Sequence, residues 1–179
     1  MKILVANLGS TSLKWRLFDC SDGGERLLHK GGFERVADYP RAIEDCLGQL
    51  RDAKAIASER DLASVGFKTV VAKDVTGCVR LDERVLNAMA AYSDLAPAHN
   101  PPYIKAMRLL SEKLPDKPLV AAFETGFHLT IPDRLRYYPV PYEWATEYHV
   151  QRWGFHGASH RYIATRMAEL LGRQDARII

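Results

Sequence analysis

The chain is poor in cysteine and lacks a long apolar run, a run of one charge and an internal repeat. Three cysteines in 179 residues, Cys20, Cys46 and Cys78, lie far apart and are odd in number. That pattern argues against a disulfide framework or a thiolate zinc site and fits a reducing cytoplasm. No window approaches the ~18 consecutive apolar residues of a membrane-spanning helix. The opening Met1–Ala6 stretch carries one Lys and stops at Asn7, too short for a signal-peptide core and better read as a strand. Lys and Arg total 25 against 22 Asp and Glu, a net charge of only +3, with no basic stripe. Nucleic acid is therefore not an expected partner, and neither is a membrane. With 47% hydrophobic and 26% charged side chains, what is present is a globular mixture able to bury a core.

Hydrophobic periodicity divides the chain. Lys2 to Ala6 is continuously apolar, as in a strand buried on both faces. Small polar residues follow at 8–12, then Leu13, Trp15 and Leu17 alternate with Lys14 and Arg16, a half-buried strand. A turn is expected at Asp22-Gly23-Gly24 and a third strand over Arg26–His29. Ile43, Cys46, Leu47 and Leu50 then recur at helical spacing, with Pro40 suited to the first turn. A strand over 63–71 and a helix over 82–91 come next. The prolines at 97, 101 and 102 break the pattern, and a further helix is expected over 103–114. Leu119–Phe123 reads as a strand. Ser159 is placed to cap a last helix with Tyr162, Ile163, Met167, Leu170 and Leu171 on its apolar face, closed by Gly172. This order is an α/β arrangement with a mixed sheet: three leading strands, then alternating helices and strands. After Gly172 a polar turn leads into Ile178-Ile179, which reads as the start of a further strand. A domain over 1–172 with a truncated connection at 173–179 is the expectation.

Three segments could carry chemistry. In Asn7-Leu8-Gly9-Ser10-Thr11-Ser12-Leu13-Lys14, Gly9 permits close backbone approach, the hydroxyls and amides suit phosphate oxygens, and Lys14 adds a charge. An ordinary hairpin turn is the competing reading. In Gly154-Phe155-His156-Gly157-Ala158-Ser159-His160, two glycines place an imidazole at a bend beside the positive end of a helix. His156 could donate to developing negative charge; a capping loop with surface histidines is the alternative, and no third ligand makes His156 and His160 a zinc site. In Phe123-Glu124-Thr125-Gly126-Phe127-His128, a carboxylate follows a strand, where α/β ligand sites tend to lie. Glu124 could hold Mg²⁺ or a reacting group, or be a solvated strand end.

Taken together, ILVANLGSTSLK at the start, DLAPAHNPP at 94–102, FETGFH at 123–128 and RWGFHGASH at 152–160 come in the order found in acetate kinases. The chain resembles the amino-terminal domain of that family over essentially its whole length. The resemblance implies an actin-like ATPase (ribonuclease-H-like) domain of the sugar-kinase-like superfamily. It implies phosphoryl transfer from ATP to a short carboxylic acid with Mg²⁺. Asn7, Ser10, Ser12 and Lys14 would then lie near the transferring phosphate, with Asn7 also toward Mg²⁺. Glu124 falls where the family has an active-site Asp, His156 would stabilise the transition state, and His99 would be a secondary site histidine. Val70, Ala98 and Phe155 match positions lining the pocket for the acid's alkyl end.

The departures concentrate in one segment, with Glu124 and Ala98 as two further exchanges. The family's Gly-His-Arg-Val-Val-His-Gly-Gly stands here as Gly66-Phe67-Lys68-Thr69-Val70-Val71-Ala72-Lys73. A planar guanidinium fork has become the point charge of Lys68, the second His is Val71, and the Gly pair is Ala72-Lys73. A smaller Ala98 replaces a pocket Leu. The domain that in the family grips the adenosine lies outside these residues, so the isolated chain is expected to turn over little. A carboxyl-terminal partner or self-association is expected. The alternative is a non-catalytic actin-like binding or scaffold domain with an eroded site.

Overall fold

The computed structural model describes residues 1–21 and 23–178. The chain divides into two compact units, Met1–Phe123 and a second that starts at Glu124. In the first, β1 (Lys2–Leu8), β2 (Ser12–Asp19) and β3 (Arg26–Glu34) form an antiparallel meander. Then follow α1 (Tyr39–Asp52), β4 (Leu62–Thr69), β5 (Cys78–Arg80), α2 (Glu83–Ala90), α3 (Asn100–Lys113) and β6 (Leu119–Phe123). The strands make one six-stranded mixed sheet in the order β3-β2-β1-β4-β6-β5, with β1–β4 and β4–β6 parallel. The α/β class and the mixed sheet read from the sequence are what the structure shows.

Period two decides the faces. Leu4, Ala6 and Leu8 of β1, Leu13, Trp15 and Leu17 of β2, Val65 and Phe67 of β4, and Ala121 and Phe123 of β6 are buried. Ile43, Cys46, Leu47 and Leu50 of α1 and Tyr103, Ala106, Met107 and Leu110 of α3 are buried with them, and the two helices pack together. Asp38 and Asp82 cap α1 and α2 by accepting the Arg41 and Val85 N–H groups at 3.0 and 2.8 Å. Each such cap contributes ~1 kcal/mol.

Two boundaries and one element differ from the sequence reading. The third strand runs on to Glu34, past Gly31-Gly32, because a Cβ on Gly31 would overlap the Trp15 ring in the neighbouring strand. The glycine there makes room for a neighbouring ring. Helix α3 starts at Asn100, so Pro101 and Pro102 lie inside it. They are tolerated because first-turn N–H groups have no helical acceptor. The short edge strand β5 carries no period of its own and was not anticipated.

The second unit opens with a 3-10 turn over Glu124–Thr130 and continues through α4 (Asp133–Arg136), α5 (Tyr142–Glu147) and α6 (Gly157–Leu171). The expected cap Ser159 lies within the first turn of α6, and His156 is the boundary residue instead. Gly172 closes the helix in the left-handed region at φ 63°, as its position suggests. Tyr162, Ile163, Leu170 and Leu171 of α6 are exposed. Ile178 has no regular structure; Ile179 and the turn residue Asp22 lie outside the described residues.

Candidate active site

In the first unit, strand register joins residues that the sequence separates. Asn7 pairs with Lys14 on one side and with Lys68 on the other. Lys14, Asn7 and Lys68 therefore form one row across β2, β1 and β4, with neighbouring Cβ atoms roughly 5 Å apart. All three lie on the face opposite the buried Leu8 and Phe67; Asn7 and Lys14 are exposed and Lys68 half-buried. Lys14 Nζ is 3.3 Å from Glu34 Oε1. A shallow concavity of about 590 Å³ on this face is lined by Asn7, Lys14, Arg16 and Lys30. Val5, Trp15 and Gly31 line it as well.

The loop from Gly9 to Ser12 is held by its carbonyls. The Gly9 N–H donates to Ser12 O at 2.7 Å and the Val36 N–H to Thr11 O at 2.9 Å. The Tyr39 hydroxyl donates to Gly9 O at 2.5 Å, and the Tyr103 hydroxyl donates to Leu8 O. Burial raises the Tyr39 phenol above its usual range, with the Ser12 backbone opposing the shift, so the hydroxyl keeps its proton at neutral pH. Among the described residues, neither Ser10 nor Thr11 donates its backbone N–H to another protein group. Ser10 and Thr11 are exposed. Unused donors on a bent loop beside two lysines fit a phosphoryl group.

Val70 and His99 belong to two segments joined by a buried amide. Asn100 Nδ2 donates to Val71 O at 3.1 Å, to Met89 O at 2.8 Å and to Tyr92 O at 3.4 Å. Val70 is buried, His99 half-buried and Ala98 exposed. The His99 ring meets the Tyr103 ring edge-on at 5.7 Å. Tyr39, Asn100 and Tyr103 were missed at the sequence level. An aromatic at helical spacing reads as core, and only the Asn before two prolines gave any local signal.

In the second unit, two motifs that read as separate pack against each other. Glu124 is 7% exposed, which removes the solvated strand-end reading. His156 Nδ1 is 3.9 Å from Glu124 Oε1, and the imidazole is 78% exposed. At that distance the contact is electrostatic and not a hydrogen bond. Gly157 is needed because a Cβ there would overlap the Glu124 carbonyl oxygen, and one on Gly154 would overlap the His128 ring. His128 Nε2 lies 3.0 Å from Phe155 O and the His160 ring stacks on Phe127. His156 has φ 55° and ψ 26°, a left-handed conformation that costs a non-glycine residue ~1 kcal/mol or more. Phe155 is 41% exposed.

Among the described residues no group of three or more His, Cys, Asp or Glu side chains could hold a metal ion. Mg²⁺ keeps several waters and phosphate oxygens and asks the protein for one or two oxygen ligands. The exposed Asn7 amide oxygen fits that limited demand. No helix of the described residues is long and apolar enough to cross a membrane, and all three thiols are free.

A sequence profile of the Acetokinase family matches residues 30–179. The chain is 35% identical to the acetate kinase of Thermosipho africanus, with 96% of this chain and 48% of that protein aligned. Against the acetate kinase of Parabacteroides distasonis it is also 35% identical, over 100% of this chain and 51% of the relative. The crystal structure of Porphyromonas gingivalis acetate kinase superposes with a TM-score of 0.83 at 29% identity, covering 96% of this chain and 49% of that one. A propionate kinase from Francisella tularensis gives 0.80 at 27% identity, covering 98% and 50%. The chain thus spans about half the length of the curated relatives it matches. On this profile match, and with two kinase structures of the same fold, the chain belongs to the acetokinase family.

Proposed function

We propose that the chain is the amino-terminal half of a carboxylate kinase that moves the γ-phosphoryl group of ATP to a short-chain acid, acetate giving acetyl phosphate. A carboxylate oxygen attacks the γ-phosphorus and the bond to the bridging oxygen breaks, so that ADP leaves with the electron pair. The observation that supports this most directly is the Lys14–Asn7–Lys68 row beside a loop with outward donors. Such transfer asks a protein mainly for positioning and charge stabilisation.

Lys14 and Lys68 offset phosphoryl charge, while Asn7, Ser10 and Ser12 donate hydrogen bonds that orient it. The Glu124 carboxylate, 3.9 Å from His156 Nδ1, attracts the imidazole when it is protonated, and the ring donates to oxygens that gain charge in transfer. In the first unit Val70 and Ala98 are assigned to the acid's alkyl end and His99 to binding the same acid; in the second unit the resemblance assigns Phe155 to substrate binding. Mg²⁺, when bound with the nucleotide, neutralises charge on the β- and γ-phosphoryl oxygens; Asn7 would hold it. We place this chemistry in the cytoplasm, in keeping with three free thiols.

Acyl phosphate trapped as hydroxamate tests the reading, with Mg-ATP and acetate, propionate or butyrate. The 179-residue chain alone should give no turnover above its His156→Ala control. Supplying the carboxyl-terminal half of a relative should restore transfer, and His156→Ala should then cut the rate roughly 100- to 1,000-fold. A folded pair that stays inactive with every acid defeats the proposal.

One observation favours a second reading. Val71 and Ala72, at positions where the family has His and Gly, are 1% and 2% exposed and serve as core. A scaffold domain kept for its fold would have that character. Its biological role would then survive His156→Ala and Lys68→Ala.

A further inference from the structure

We propose that Tyr39 and Tyr103 are positioning residues for phosphoryl binding, acting through the backbone of the β1–β2 loop. The inference rests on the reading of that loop as a phosphate site.

The two tyrosines come from different helices and address consecutive carbonyls. Tyr103 of α3 donates to Leu8 O, and Tyr39 of α1 donates to Gly9 O at 2.5 Å. A trans peptide is planar, with its N–H opposed to its C=O. Drawing the Gly9 carbonyl toward Tyr39 therefore turns the Ser10 N–H away from it, the orientation an anion needs. Drawing the Leu8 carbonyl toward Tyr103 turns the Gly9 N–H the other way, where it closes the loop on Ser12 O at 2.7 Å. One tyrosine aims a donor and the other fixes the turn that carries it.

The hydroxyls are what the role requires. Phenylalanine would fill the same volume, and the two rings, edge to face at 6.2 Å, would pack as well without oxygen. Tyr103 and Leu8 are fully buried, so loss of the Tyr103 hydroxyl leaves a carbonyl with little water to turn to, while Gly9 is half-buried and its carbonyl loses an oriented partner when Tyr39 loses its hydroxyl. Tyr103 also stands edge-on to His99, so the same ring carries the loop on one side and a residue assigned to the acid pocket on the other.

The test uses the ¹⁵N-labelled 179-residue chain and its Tyr39→Phe and Tyr103→Phe variants. Inorganic phosphate and Mg-ATP are titrated in turn while the Ser10 and Thr11 amide resonances are followed. Amide exchange of Gly9 is compared with that of Leu4 and Ala6 in β1. In the unmodified chain, the two resonances should move on titration. Each variant should weaken the apparent affinity at least fivefold and speed Gly9 exchange at least tenfold, with Leu4 and Ala6 within twofold. A general loss of stability would speed all three amides together. Unchanged Gly9 exchange and unchanged affinity overturn the tethers. If Gly9 exchange rises but no loop resonance of the unmodified chain moves with either anion, the phosphate reading fails and the tyrosines are structural only. Should Tyr103→Phe not fold, Tyr39→Phe decides the matter alone, since it is nearer the surface and removes one hydroxyl.

Discussion

His156 holds a left-handed backbone next to Gly157, which cannot accept a Cβ. A strained residue that also bears the imidazole assigned to charge stabilisation separates stability from function. His156→Gly should raise stability by about 1 kcal/mol, read as the urea midpoint, while removing transfer in the complemented enzyme. An equal or lower midpoint would show that the conformation is not strained. Cys46 sets a second expectation. Burial pushes its thiol up from 9.0 to about 12. The folded chain thus holds this proton through a window in which the unfolded chain has released it. Stability is intact below about pH 9 and falls as pH climbs toward about 12, with a slope of at most ~1.4 kcal/mol per pH unit from this group. Cys46→Ala should flatten that alkaline loss in a pH series of denaturation midpoints. At pH 8 iodoacetamide should label the exposed Cys78 and spare Cys46.

Among the elements, α3 is joined to the rest through its first residue. Asn100 is fully buried, and two N–H bonds serve the carbonyls of Val71, Met89 and Tyr92. Asn100→Ala takes this donor from Val71 O, while Met89 O and Tyr92 O keep the Tyr92 and Ala96 N–H groups, and should cost about 2 kcal/mol, measurable by urea unfolding. A change below ~1 kcal/mol would mean that water replaces the amide. Much of this unit was legible beforehand. Alternation in Leu13, Trp15 and Leu17 and helical spacing in Ile43, Cys46, Leu47 and Leu50 both report burial, which is local information. Pro101-Pro102 misled because a proline stops a helix from within but starts one at its first turn. The third strand was read only to His29, and what extends it through Gly31, room for the Trp15 ring, lies in another strand. The Lys14–Asn7–Lys68 row could not be read at all, since register is set by pairing partners far away in sequence. From 124 to 156 the elements are too short to show a period.

For the whole molecule, four motifs in order carried the family, and the chain spans about half the length of the curated relatives it matches. Motif order survives where geometry is invisible, which is why the chemistry was legible before the contacts that support it. The loop at 7–14, Glu124 and His156 were legible as candidates from their residue types, while Val70, Ala98, His99 and Phe155 came from resemblance alone; the assembly of these residues in each unit needed the fold. The sheet also ends in two unlike borders. At one, β5 is only three residues long and carries Arg80. At the other, β3 runs for nine, a length on which a second copy could template hydrogen bonds. Arg26, Lys30 and Glu34 stand along it, with Lys30 exposed. Replacing that one charge by a β-branched residue, Lys30→Val, should turn the border adhesive, giving thioflavin-positive fibrils on warming where the parent chain stays clear. Charge at this rim would then be the molecule's safeguard against polymerising into cross-β.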